Sequence, residues 1–181
     1  MTQAGSMYAH ALYDLAKDEG LSEQILSELN MLREIFSENR DFVRLMSTPN
    51  LSKEERASVL DETFRGKLQQ YLLNFLKLLM EKGYFSSVFD CVSAYRDLYN
   101  EDHGIVPVRA YTSLPMSDTQ KQKLQEKLSS ITGMTVDLKN IVDPRTLGGV
   151  KLDWDGRQLD DTVQHRLSDM HRMLRNTPVA S

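Results

Sequence analysis

The chain has 181 residues, 40% apolar and 27% charged, with a formal net charge of −4, enough for one ordinary domain or two small ones. No apolar run approaches the roughly 20 residues that a bilayer span needs, and a single cysteine, Cys91, excludes an internal disulfide and a Cys-rich zinc site. Residues 1–104 carry 11 Lys/Arg against 17 Asp/Glu, and residues 105–181 carry 11 against 9, so neither part has the basic density that binding nucleic acid requires.

The first hundred residues predict helices with short breaks. Met1 to Gly20 lacks a basic segment followed by an apolar core and carries Asp14, Asp18 and Glu19. It reads neither as a secretory signal nor as a transit peptide, and a protein kept inside the cell is the expectation. Ser6 is the predicted cap of a first helix running through Lys17, ended by Gly20, and Ser22 the cap of a second with Ile25, Leu26, Leu29, Leu32, Ile35 and Phe36 at helical spacing. Asp41 opens a short third segment closed by Pro49. Ser52 with Glu55 forms a capping-box pattern for a fourth helix to about Phe64. The fifth is predicted over Lys67 to Lys82, ended by Gly83, and the sixth from Ser86 or Ser87 to about Asn100. Cys91 reads as a buried small hydrophobe.

Composition shifts at His103-Gly104. Ile105, Val106, Val108, Ala110 and Tyr111 predict a strand, with Pro107 suited to an edge or a start. Ser117 caps a polar amphipathic helix with Leu124, Leu128 and Ile131 on one face, ended by Gly133. Strands are expected from Met134 to Val142, Val150 to Trp154 and near Gln158-Leu159, with turns at Asp143-Pro144 and Asp155-Gly156, and a last helix from about Thr162 to Leu174. The expected fold class is therefore α+β: a six-helix bundle over 1–104, then a small β-α-β-β-α domain over 105–181.

The chemistry of an active site is missing from this pattern. Gly148-Gly149 is the one glycine pair and lacks the Lys-Ser/Thr of a P-loop and the spacing of a dinucleotide fingerprint, so it reads as a bend beside a strand. His165 and His171 are six apart and fall on different helix faces, unlike an i, i+4 metal pair. Asp160-Asp161 and Asp155-Gly156 read as cap and turn residues. No metal, cofactor or catalytic residue is expected.

Surplus apolar surface carries more information. The fifth helix holds Leu68, Tyr71, Leu72, Leu73, Phe75, Leu76, Leu78, Leu79 and Met80, covering an arc of roughly 220°. Such a helix is either central in the bundle or one wall of a groove that another chain fills. The first helix has a stripe of Tyr8, Ala11, Leu12, Leu15 and Ala16, with Ala9 and Tyr13 beside it.

The run D-P-R-T-L-G-G-V-K-L from Asp143 to Leu152, D-G-R-Q-L-D-D-T-V from Asp155 to Val163 and R-L at Arg166-Leu167 resembles the C-terminal signature of the F-type ATP synthase delta subunit family, which includes the mitochondrial oligomycin-sensitivity-conferring protein. Y-A-H-A-L-Y-D-L-A, Tyr8 to Ala16, is similar to the family's opening helix, and E-K-G-Y-F, Glu81 to Phe85, sits where the family ends its fifth. Asp161 departs from the pattern, standing where many members have a small residue.

The resemblance implies a non-catalytic stator adaptor. Residues 1–104 would bind the N-terminal helix of an alpha subunit in a groove between the first and fifth helices, using Tyr8, Ala11, Leu12, Leu15, Phe75, Leu78 and Leu79. Residues 105–181 would bind b-type subunits of the peripheral stalk. It further implies a peripheral location at the cytoplasmic face of a bacterial membrane, with no direct membrane insertion and no nucleic-acid partner. An unrelated helical adaptor that binds an amphipathic partner helix is the competing expectation.

Overall fold

The computed structural model describes residues 3–48, 51–146, 148–154 and 156–160. The chain divides into two compact units, Met1–Asp102 and His103–Ser181.

The N-terminal unit contains α1 (Gln3–Asp18), α2 (Ser22–Glu38), α3 (Arg40–Ser47), α4 (Lys53–Phe64), α5 (Gln70–Glu81) and α6 (Val88–Asp102), with a single 3-10 turn over Phe85–Ser87 ahead of α6. One continuous apolar core joins them, with Ile25, Leu29, Leu32 and Phe36 of α2, Leu72, Leu76 and Leu79 of α5, and Tyr95 of α6 each at most 1% exposed. Cys91 lies in that core at 1% exposure.

Helix ends show where local chemistry decided and where it did not. Ser52 accepts from the Glu55 backbone N–H at 3.2 Å while the Glu55 carboxylate accepts from the Ser52 N–H at 2.8 Å, the reciprocal box that the spacing predicts. Ser6, expected as a cap, lies inside α1, which begins at Gln3. Ser22 is the first residue of α2, and Leu21 occupies its N-cap without a side-chain bond. The fifth helix begins at Gln70 rather than Lys67, because the Lys67 and Leu68 N–H groups still donate to the Phe64 carbonyl of α4, at 3.0 and 3.2 Å, and Gln69 is extended at φ −59°, ψ 138°. The Gln69 side chain then caps α5, accepting from the Tyr71 N–H at 2.7 Å. Arg56, 7% exposed, donates through Nη1 to the Met46 carbonyl at 2.9 Å and so ties the end of α3 to α4. Pro49 lies outside the described residues.

The C-terminal unit is built on a mixed four-stranded sheet of order β2-β1-β3-β4, formed by β1 (Ile105–Thr112), β2 (Thr135–Val142), β3 (Lys151–Trp154) and β4 (Arg157–Asp160). β1 and β2 run parallel in register from Ile105↔Thr135 to Thr112↔Val142, joined by the crossover helix α7 (Asp118–Thr132). β3 pairs antiparallel with β1 and with β4. The short strand expected near Gln158-Leu159 is β4, which the order β-α-β-β-α does not count, and the expected helix from Thr162 to Leu174 lies outside the described residues. Pro107 sits in a central strand, but where β1 has β2 as its one partner, since β3 reaches only Arg109 to Tyr111. A proline there leaves no bond to β3 unmade.

Alternation along β1 buries Val108, Ala110 and Thr112, which with Val136 and Leu152 line a small core. Leu124 and Leu128 of α7 pack on it, whereas Ile131, expected on the same face, is 71% exposed. Asn140 stitches this unit together. Its amide donates to the Ala110 carbonyl at 3.0 Å and to Thr112 Oγ1 at 2.8 Å, and its Oδ1 accepts from the Met116 N–H at 2.9 Å. Gly148 and Gly149, at φ +68° and +82°, form the bend before β3.

Candidate partner-binding site

α1 carries two stripes with separate duties. Ala9, Leu12, Tyr13 and Ala16 are buried at i, i+3, i+4 and i+7 spacing. The small alanines let α1 approach its neighbours closely, and the Tyr13 ring packs edge-on to Tyr95 of α6 with centroids 5.2 Å apart. Tyr13 then donates its hydroxyl to Asp102 at 3.0 Å, and Lys17 reaches the same carboxylate at 2.5 Å, so the last residue of α6 is fastened to α1. Burial, reinforced by the Asp102 carboxylate, pushes the Tyr13 phenol up to about 12.

The other stripe of α1 faces outward. Met7 is 62% exposed and Leu15 39% exposed, with Ala11 exposed between them and Tyr8 half-buried at its edge. α1 and α5 are packed neighbours. On α5 the buried set is Leu72, Leu73, Phe75, Leu76, Leu79 and Met80, while Leu78 remains 39% exposed. Each fully buried side chain of this kind contributes roughly 1.5–3 kcal/mol of transfer free energy.

The seven residues singled out from the sequence thus divide. Leu12, Phe75 and Leu79, at 4%, 7% and 0% exposure, belong to the core of the isolated chain and support the strip from beneath. Ala11, Leu15 and Leu78 are exposed, and Tyr8 is half-exposed, so these four have surface to offer a partner. The sequence reading missed two contributors, Met7 and Tyr84. Tyr84 is 42% exposed and lies just beyond α5, with its ring 5.8 Å from that of Tyr8. The available signal was the pair Tyr84-Phe85 after Gly83: Phe85 enters the core at 0% exposure, and its predecessor faces out.

The strip is flanked by Asp14 on α1 and by Asn74 and Glu81 on α5, all exposed. Lys82, exposed beside Glu81 at the end of α5, makes the charged border mixed rather than acidic. Among the described residues no three His, Cys, Asp or Glu side chains come together as a metal site, and no helix is long and apolar enough to cross a membrane. His165 and His171 lie outside the described residues.

A family profile for the ATP synthase delta (OSCP) subunit matches residues 4–174. The chain is 32% identical over 168 residues to the ATP synthase subunit delta of Geobacillus sp. (strain WCH70), covering 92% of this chain and 94% of that one. Against the subunit delta of Clostridioides difficile (strain 630) identity is 31% over 168 residues, covering 92% and 93%. Against that of Chlorobium phaeobacteroides (strain BS1) it is 31% over 173 residues, covering 96% of each. In fold, a chain in the cryo-EM structure of the Toxoplasma gondii mitochondrial ATP synthase hexamer superposes with a TM-score of 0.75 at 20% identity, over 98% of this chain and 99% of that one. A chain of the Polytomella F-ATP synthase gives a TM-score of 0.50 at 17% identity, over 55% of this chain and 88% of that one.

Proposed function

The chain belongs to the ATP synthase delta (OSCP) subunit family, and we propose that it is the non-catalytic stator subunit of a rotary F-type ATP synthase, linking the alpha/beta head to the peripheral stalk. Family membership removes the competing reading of an unrelated helical adaptor.

In this reading the N-terminal helix of an alpha subunit docks on the strip formed by Tyr8, Ala11, Leu15 and Leu78, extended by Met7 and Tyr84. The single observation that carries it is the outward apolar stripe of α1 beside the exposed Leu78 of α5, held in place by the buried Leu12, Phe75 and Leu79. The C-terminal unit binds b-type subunits of the stalk, and the subunit sits peripherally at the cytoplasmic face of the membrane. A rotor exerts torque on the head, and the stalk must keep the head from turning with it. That task needs slow dissociation and stiffness rather than turnover, and burial of an apolar strip lengthens residence time.

The test is a titration of the full-length chain with a synthetic peptide of the alpha-subunit N-terminus. Saturable binding that Leu78→Asp weakens at least about tenfold supports the reading, since a charge would enter an apolar contact. Unchanged affinity in that variant would remove the α1–α5 strip as the site. Absence of binding by the unmodified chain would overturn the proposed attachment to the head.

A further inference from the structure

A second concavity of about 480 Å³ opens in the N-terminal unit, lined by α2, α3, α4 and the turn after α4 rather than by the α1–α5 strip. Its volume falls in the range of small-molecule sites, roughly 300–1,000 Å³. Three phenylalanines form its aromatic wall. Phe36 stacks on Phe42 with centroids 5.7 Å apart, and Phe64 meets Phe36 edge-on at 6.1 Å and Phe42 edge-on at 6.2 Å. Ile35 continues the apolar lining, and Met31, 42% exposed, lies where the cavity meets solvent.

The polar part of the lining is spare and one-signed. Lys67 is its one charged residue, and no carboxylate lines the cavity. Gly66, at φ +75°, folds the chain back so that the Lys67 N–H donates to the Phe64 carbonyl at 3.0 Å, which brings Lys67 beside the aromatic wall. Arg65 and Lys77 share Asp61, at 3.2 and 2.7 Å. Lys67 takes no acidic partner among the described residues. The two other polar residues donate elsewhere: Asn39 to the Ile35 carbonyl at 2.8 Å and Thr63 to the Val59 carbonyl at 2.7 Å.

We propose that this cavity binds an aliphatic monocarboxylate of the fatty-acid class, its chain against Met31, Ile35 and Phe42, which are backed by the buried Phe36 and Phe64, and its carboxylate on the Lys67 ammonium. A single cation on an otherwise apolar wall matches one negative charge at the end of one hydrocarbon chain. This site is independent of the docking strip, so either assignment can fail without the other.

The experiment is isothermal titration of the full-length chain with decanoate, kept below its micelle-forming concentration, and with decanamide as the neutral isostere. Saturable one-to-one binding of decanoate, about tenfold tighter than decanamide, is expected, because an ionised acceptor on an ammonium outweighs a neutral one. Lys67→Gln is expected to bring decanoate down to the decanamide level and leave decanamide unchanged, while Lys67→Arg keeps the preference. Met31→Trp, which fills the mouth, is expected to weaken both ligands. Equal affinity for decanoate and decanamide, an unaffected Lys67→Gln variant, or binding that appears only once decanoate aggregates would each overturn the proposal. So would self-association that Met31→Trp abolishes and decanoate leaves untouched, which would give the cavity to a second copy of the chain.

Discussion

The ring of Tyr8 on α1 lies 5.8 Å from the ring of Tyr84, centroid to centroid, with the planes inclined at 47°. The pair joins the outward stripe of α1 to the chain leaving α5, and so places an aromatic contact beside the docking strip. Tyr84→Ala is expected to cost roughly 0.5–1.5 kcal/mol of stability, the worth of a tilted aromatic pair. It is also expected to weaken binding of the alpha-subunit peptide. Denaturant unfolding and peptide titration of the same variant measure the two effects separately.

Leu78 and Leu79 are adjacent in sequence and opposite in consequence. Leu79→Ala empties a fully buried site and is expected to destabilise the N-terminal unit by about 2–5 kcal/mol. Leu78→Asp, at a site 39% exposed, is expected to stay within about 1 kcal/mol of the unmodified chain while losing peptide affinity. Circular dichroism melts set beside the titration check the contrast. A large fall in melting temperature for Leu78→Asp would count against the division of α5 into supporting and docking faces.

The width of the apolar surface on α5 is legible from residues 70–81 alone, but the split between Leu78 and Leu79 is not, and the limit is physical. An apolar arc of roughly 220° states that the helix is covered widely, but not whether its own chain or another does the covering. That answer depends on α1, which is distant in sequence and adjacent in space. Capping chemistry was legible where side chain and backbone reciprocate, as at Ser52-Glu55 and Ser117-Gln120. It misled at Ser6, which lies inside α1, and at Ser22, which is the first residue of α2 rather than its cap. Ile131 shows the same limit on α7: it shares helical spacing with Leu124 and Leu128 yet stays in solvent.

Cys91 is 1% exposed, and burial pushes its thiol up to about 12. The thiolate, the reactive form, is therefore suppressed in the folded state. A maleimide or disulfide reagent at neutral pH is expected to label Cys91 no faster than the N-terminal unit opens, and Leu79→Ala is expected to accelerate labelling by weakening that unit. Fast labelling of the folded chain would contradict the burial.

Tyr13 predicts an alkaline limit. Its ordinary value is 10, and burial with the Asp102 hydrogen bond raises it to about 12 in the fold. The neutral phenol is the favoured folded form, so its contribution is fully present below pH 10 and is lost as pH rises toward 12. Tyr13→Phe is expected to lower stability at neutral pH by about 1 kcal/mol through the lost hydrogen bond. The same variant is expected to show a shallower decline across that alkaline window. Denaturant midpoints at a series of pH values, with tyrosinate absorbance as the titration record, test both parts.

Gly133 ends α7 at φ +69°, with its N–H donating to the Ser129 carbonyl at 2.9 Å. A Cβ there would meet no atom within 4 Å, so the cost of Gly133→Ala is conformational alone. Roughly 1–2 kcal/mol is expected from the left-handed backbone. Its unfolding midpoint in denaturant checks this.

The parallel register of β1 and β2 has a mechanical corollary. The chain leaves α6 and enters β1 at Ile105, and tension applied along β1 would load its pairings lengthwise. Eight residue pairs with β2, and three more with β3, then resist as a block loaded in shear. A strand pulled this way cannot peel one bond at a time, as the end of a hairpin does. β1 is one of the two interior strands of the sheet, and its eight-pair ladder with β2 is the longest, against three pairs between β1 and β3 and four between β3 and β4.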